Sequence, residues 1–275
     1  MQEFKYLRPS SLKEASELLD KYRKDIRILA GGTDLIVALR ERLITCSYVM
    51  DIKNIKELQH INYNSEGLSI GAAVSLNDII ASKTISENYS VLIQAAKVLA
   101  NSMLRNRATL IGNICNASPG GDMLSPSIVL EGEAEAVSVD GMRKIPLNKF
   151  FIGVKKTVLK ENEIVTRIIF PYIKGEGIYL RRSRIKGHDL SQVAIAAFMK
   201  YEGGLNISIG AAGPTPIIVE GFEDLKNTDL YSNKDKIIEK ILKEIKPIGD
   251  QRASKEYRIA MVEYLARQSI EELGR

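Results

Sequence analysis

A strand that runs into two adjacent glycines and then a helix leaves few folds open, and residues 26–40, IRILAGGTDLIVALR, read that way. The β-run through Ile26, Ile28 and Leu29 stops at Gly31-Gly32, and Thr33 and Asp34 lead an apolar, helix-like segment. Glycine adopts positive φ and lets an anion approach without a Cβ in the way, while a helix start adds partial positive charge. A diphosphate fits such a turn. An ordinary turn has the same sequence, since paired glycines before a helix are also plain turn chemistry. The spacing is not G-x-G-x-x-G, and G-x-x-x-x-G-K-[ST] occurs nowhere in the chain.

The 275 residues suffice for one large domain or two of ordinary size, at a soluble globular composition of 45% hydrophobic and 27% charged residues. No apolar run reaches the roughly 18 residues of a membrane span, and the N-terminus has no apolar signal region, so a cytoplasmic protein is expected. Cys46 and Cys115, with His60 and His188, are too few for an iron–sulfur cluster or a structural zinc built from this chain alone. Buried or inert thiols are the expectation in a reducing compartment. The net charge of +5 and pI near 9.0 concentrate in Arg105–Arg107 and Arg181–Lys186, but only 6% of residues are aromatic and Trp is absent. A nucleic-acid surface built on stacking calls for more aromatics, so no nucleic-acid partner is expected, and a solvated basic face or an acidic protein partner explains most of the charge.

Along the chain, Ser11 and Glu14 form a capping box ahead of a helix with Leu12, Ala15, Leu18 and Leu19 on one face. With the strand at 26–29, the helix from Asp34 to about Arg42 and a buried strand at 47–52, residues 1–55 make a β-α-β-α-β unit. A hairpin turns at Asn64–Gly67, Ser75 and Asp78 cap a short helix, and another helix runs from about Ser90 to Ala100. Residues 101–126 carry four Asn, three Gly and two Pro among apolar residues and read as a long irregular loop, too apolar to be disordered and therefore a second site candidate. A hairpin at Asp140-Gly141, a strand closed by Pro171, three long antiparallel strands from Ile178 and two helices near 233–246 and 252–270 complete the pattern. A domain boundary is placed near residue 173.

The two glycine-bearing stretches together resemble the flavin-binding subunits of the molybdenum hydroxylases, the xanthine dehydrogenase and carbon monoxide dehydrogenase group. Ala30-Gly31-Gly32-Thr33-Asp34-Leu35 is similar to the family's first loop. Arg105-Asn106-Arg107-Ala108-Thr109-Leu110-Ile111-Gly112-Asn113, followed by Ala117-Ser118-Pro119 and Asp122, is similar to the second. Ile111 stands where the family has a glycine. The likeness extends to FKYLRPSSLKEASELL, VMDIKNIKEL, RRSRIKGHDLSQVAIAA with Asp189 and Leu190 in matching positions, and SKEYRIAMVEYLARQSI, nearly the whole chain.

The resemblance implies an α+β protein: a two-subdomain FAD-binding domain of the vanillyl-alcohol-oxidase-like type over 1–172 (subdomains about 1–55 and 56–172), then a C-terminal domain over 173–275 with a three-stranded antiparallel sheet and helices. It implies FAD between the subdomains. The residues implied to hold it are Ala30, Gly31, Gly32, Thr33, Asp34, Leu35, Thr109, Gly112, Asn113, Ser118, Asp122, Lys186 and Asp189. The first loop through Asp34, with Thr109, Gly112 and Asn113, would supply donors to the diphosphate. Asp34 would act through its backbone N–H or cap its helix, since a carboxylate repels a diphosphate. Asp122 would hold a ribityl or ribose hydroxyl or be a plain turn residue, and Lys186 or a neighbouring arginine would stabilise charge on reduced flavin. His188 is expected to be a loop residue, and no catalytic residue or metal ligand is expected. The implied partners are a small 2Fe-2S subunit and a large molybdenum-cofactor subunit, with electrons passing through FAD to NAD or another acceptor. The alternatives are a stand-alone FAD-dependent oxidoreductase of the same superfamily and, in a different class, a basic module binding nucleic acid or an acidic protein.

Overall fold

The computed structural model describes residues 3–185 and 189–274. Near the N-terminus, β1 (Lys5–Leu7), β2 (Ile26–Leu29) and β3 (Tyr48–Asp51) lie parallel in the order β1-β3-β2, joined by α1 (Leu12–Tyr22) and α2 (Leu35–Arg40). This is the β-α-β-α-β unit read from the pattern. The Ser11 hydroxyl accepts the Glu14 N–H at 3.2 Å, but the Glu14 carboxylate accepts from the N–H and hydroxyl of Ser10, so the expected box closes one residue early.

The next part is a five-stranded antiparallel sheet interrupted by helices. β4 (Ile61–Asn64) and β5 (Gly67–Gly71) form the expected hairpin, and α3 (Leu76–Ala81), α4 (Lys83–Asn88) and α5 (Ser90–Val98) follow. Ser75 and Asp78 make a complete capping box on α3. Residues 101–126, expected as an irregular loop, instead hold α6 (Ser102–Arg105), α7 (Leu110–Asn116) and the start of α8 (Leu124–Val129). The polar residues that read as loop are helix caps: the Asn101 side chain accepts the Leu104 N–H at 2.8 Å and Thr109 accepts that of Gly112 at 2.9 Å. The scattered apolar residues, Leu110, Ile111, Ile114, Met123, Leu124 and Ile128, are buried. β6 (Glu133–Ser138) and β7 (Gly141–Pro146) pair as a hairpin, β8 (Phe151–Gly153) and β9 (Lys156–Thr157) form a separate small ribbon, and β10 (Ile164–Pro171) completes the order β4-β5-β10-β6-β7.

The C-terminal sheet has β11 (Gly175–Arg182), β12 (Val193–Lys200), β13 (Leu205–Gly210) and β14 (Ile217–Val219) in sequential antiparallel order. The three long strands are those expected; β14 adds a short edge strand, three residues between Pro216 and Gly221 that are too few to show alternation. α9 (Lys234–Glu244) and α10 (Lys255–Leu273) cover one face with Ile237, Ile238, Ile241, Val262, Leu265 and Ala266. Successive residues of β12 point to opposite sides of the sheet. Ile195, Ala197 and Met199 join the helical core, while Ala194, Ala196 and Phe198 join the core of the preceding part. A strand covered on both faces reads as a continuous apolar run, and VAIAAFM does.

Candidate functional site

At the C-terminal end of β2 the chain enters the first glycine loop. Gly32 has φ +77°, a conformation that side chains other than Gly and Asn adopt at a cost. Gly31 is glycine for a different reason: a Cβ there would lie 2.1 Å from the Arg107 carbonyl oxygen, so the backbone of the second loop occupies that space. Among the described residues the N–H groups of Gly31, Gly32, Thr33 and Asp34 make no hydrogen bond. Asp34 precedes α2 without a side-chain bond to it, so of its two expected roles the helix cap is not realised.

The second loop opens α7. Thr109 caps the helix by accepting the Gly112 N–H, and the Asn113 N–H donates to the Thr109 carbonyl at 3.1 Å. These two N–H groups, expected as free donors, are taken up by the helix start. The first N–H groups of a helix lack intrahelical acceptors; an antiparallel bridge between Ser75 and Thr109 turns that of Leu110 toward the chain before α3, which leaves that of Ile111 without a hydrogen bond among the described residues. Asn113 Oδ1 accepts the Met123 N–H at 3.2 Å and fastens the helix to the turn that follows it. Ile111 is 4% exposed and packs in the core, so its side chain fills space under the loop.

The third wall joins the two halves of the molecule. Asp122 is 5% exposed. Its Oδ1 accepts from the Tyr179 hydroxyl (2.7 Å) and the Ser191 hydroxyl (2.7 Å), and its Oδ2 accepts from Arg181 Nη1 (2.9 Å). Burial, and then the Asp122 charge, push the Tyr179 hydroxyl well above its ordinary value, so it stays a donor. Asp122 is thus neither a plain turn residue nor an uncommitted acceptor; three of its roughly four lone-pair sites are filled by C-terminal side chains. The Ala211 N–H donates to the Pro119 carbonyl at 3.0 Å, and buried Arg258 of α10 donates to the carbonyls of Gln192 and Ala211, both at 2.5 Å. Asp189 accepts from the Arg184 N–H (3.1 Å) and Nε (3.3 Å), and that guanidinium holds its carboxyl below the ordinary value. Lys186 and His188 lie outside the described residues.

These walls enclose a cleft of ≈ 620 Å³, within the range of cofactor-sized sites. Ala30, Gly31, Gly32, Thr33, Asp34, Leu35, Thr109, Gly112, Asn113, Ser118, Asp122 and Asp189 all line it. So do Lys155, at the tip of the β8–β9 ribbon, and Arg181; neither was named as a site residue, and neither carried a signal apart from the general basic character of its stretch. Cys115 lines it too, and burial pushes its thiol up to about 12, which fits an inert thiol. Uncommitted N–H groups at Gly31, where backbone leaves no room for a Cβ, and at Gly32, with its positive φ, together with apolar walls from Ile28, Leu35, Ala38, Ile44 and Leu104, fit an elongated dinucleotide with an anionic centre. Among the described residues no cluster of His, Cys, Asp or Glu is arranged to hold a metal, and no helix is long and apolar enough to cross a membrane.

Residues 2–173 match the family of FAD binding domains in molybdopterin dehydrogenase, and residues 178–273 match the CO dehydrogenase flavoprotein C-terminal domain. The xanthine dehydrogenase FAD-binding subunit of Escherichia coli O157:H7 is 30% identical over 277 residues, covering 97% of this chain and 94% of that one. The carbon monoxide dehydrogenase medium chain of Hydrogenophaga pseudoflava is 31% identical over 79% of this chain and 78% of its own. Among solved structures, a chain of reconstituted CO dehydrogenase from Oligotropha carboxidovorans superposes with a TM-score of 0.94 at 26% identity, covering 99% of this chain and 98% of that one.

Proposed function

Since the chain belongs to the family of FAD-binding subunits of the molybdenum hydroxylases, we propose that it works as the electron-transfer subunit of a xanthine dehydrogenase-like complex. A small 2Fe-2S subunit and a large molybdenum-cofactor subunit are its partners, NAD or another acceptor takes the electrons, and the complex is cytoplasmic. When bound, FAD supplies the carrier that links one-electron centres to a two-electron acceptor. The chain's own residues bind and orient. The N–H groups of Gly31 to Asp34 and the Thr109 hydroxyl hold the diphosphate, while Ala30, Leu35, Gly112 and Asn113 shape the two loops around it. Ser118, Asp122 and Asp189 define the end of the cleft that the C-terminal part closes. We place the FAD-binding domain at 1–172, with subdomains of about 1–55 and 56–172, and the C-terminal domain at 173–275.

The observation that carries this reading is the meeting of the two glycine loops, where Gly31 lies against the Arg107 backbone and neighbouring N–H groups stay uncommitted. The test is a visible absorbance spectrum of the purified chain after incubation with FAD and desalting. Retained flavin bands, released as FAD on denaturation and lost in Gly32→Val, are the expected result. Unchanged flavin content in both Gly32→Val and Asn113→Ala would overturn the site.

A further inference from the structure

We propose that Lys155 is the countercharge that the cleft presents to the bound dinucleotide, an assignment that rests on the FAD reading above. Lys155 stands at the tip of the β8–β9 ribbon with φ +53°, in the left-handed region that a lysine seldom adopts. Its N–H donates at 2.9 Å to the carbonyl of Ala117, itself left-handed at φ +45°, so the ribbon tip is clamped to the turn that ends α7. That clamp holds Lys155, an exposed residue, in the lining of the cleft, which Lys156 beside it does not join.

The other cationic side chains in the cleft wall are engaged among the described residues. Arg181 is paired with Asp122, and Asp189 with Arg184. Arg27 turns its Nη1 onto the carbonyls of Lys24 and Ile26. Asp34 has no ion pair among the described residues and repels an anion. The Lys155 ammonium likewise has no hydrogen-bond or ion-pair partner among the described residues. A dianionic diphosphate, or a flavin ring that gains negative charge on reduction, therefore meets in Lys155 an ammonium group with no partner among the described residues. Lysine serves here as a point charge on a flexible stem, which suits an anion held mainly by backbone.

The experiment titrates FAD, and ADP as competitor, into the full-length chain and its Lys155→Gln, Lys155→Arg and Lys156→Gln variants, with FAD oxidised and then anaerobically reduced. Lys155→Gln is expected to weaken FAD about tenfold, as loss of one charge-assisted contact does. Lys155→Arg should restore binding and Lys156→Gln should match the parent chain. Equal weakening of both redox forms together with ADP identifies the diphosphate as the paired anion. Weakening confined to reduced FAD identifies the ring, and a tenfold differential lowers the two-electron potential by about 30 mV. Parent-like binding of both forms by Lys155→Gln, or an equal loss in Lys156→Gln, overturns the assignment. A parent chain that takes up no FAD overturns the functional reading beneath it, so the two failures are distinct.

Discussion

Gly31 and Gly32 are adjacent, yet they are glycine for unlike reasons, and substitutions separate them. A Cβ on Gly31 meets fixed backbone, the carbonyl of Arg107, so Gly31→Ala must force the loops apart. We expect it to lower the unfolding free energy by about 1–3 kcal/mol in urea titrations and to empty the chain of flavin. At Gly32 the obstacle is the +77° torsion, while the nearest atom is the end of the Leu29 side chain, which can move; Asn, tolerant of that torsion, should be accepted where Val is not. Tyr179 gives a pH signature. Its folded-state value is raised, so the stability it contributes is fully present below about pH 10, the ordinary tyrosine value, and is lost as pH climbs toward the raised one. Tyr179→Phe should abolish that alkaline loss in urea midpoints measured against pH, while costing about 1–3 kcal/mol at neutral pH because Asp122 is deprived of a buried donor.

Among the elements, α7 couples stability to binding most directly. It is seven residues long and depends on the Thr109 cap. Thr109→Ala should lower stability by about 1 kcal/mol and speed flavin release, whereas Thr109→Ser retains the cap and most of the affinity; thermal melts and FAD dissociation rates measured together decide this. The same helix shows what sequence reading could and could not reach. The first glycine loop was legible because a strand, two glycines and a helix follow one another in a single stretch. The helices of 101–126 were not, because four to seven residues span barely two turns and show no 3.6 period, while their caps are the residue types that also make loops. The pairing of Asp122 with Tyr179, Ser191 and Arg181 was out of reach for another reason. The partners are more than 50 residues away, and nothing local to an aspartate in a glycine-rich turn tells which strand will cover it.

At the scale of the molecule, the cleft belongs to both halves: the glycine loops come from one, and Arg181, Asp189 and Leu190 from the other. A ligand held across such a seam binds only the fully folded chain. Free FAD at a hundred times its Kd should therefore add about 2.7 kcal/mol to unfolding. Calorimetry should show the shift as displacement of the whole transition; a shift confined to one of two resolved transitions would place the ligand on one half alone. β12 makes the seam continuous, since alternate residues of this strand complete the cores on either side of it. The order of synthesis then matters. Chains emerge N-terminus first, so both glycine loops leave the ribosome well before β12, and a nascent chain that ends near residue 175 carries the two loops without the wall that closes over them. A chain truncated near residue 175 is therefore expected to retain no FAD after desalting, where the full-length chain does.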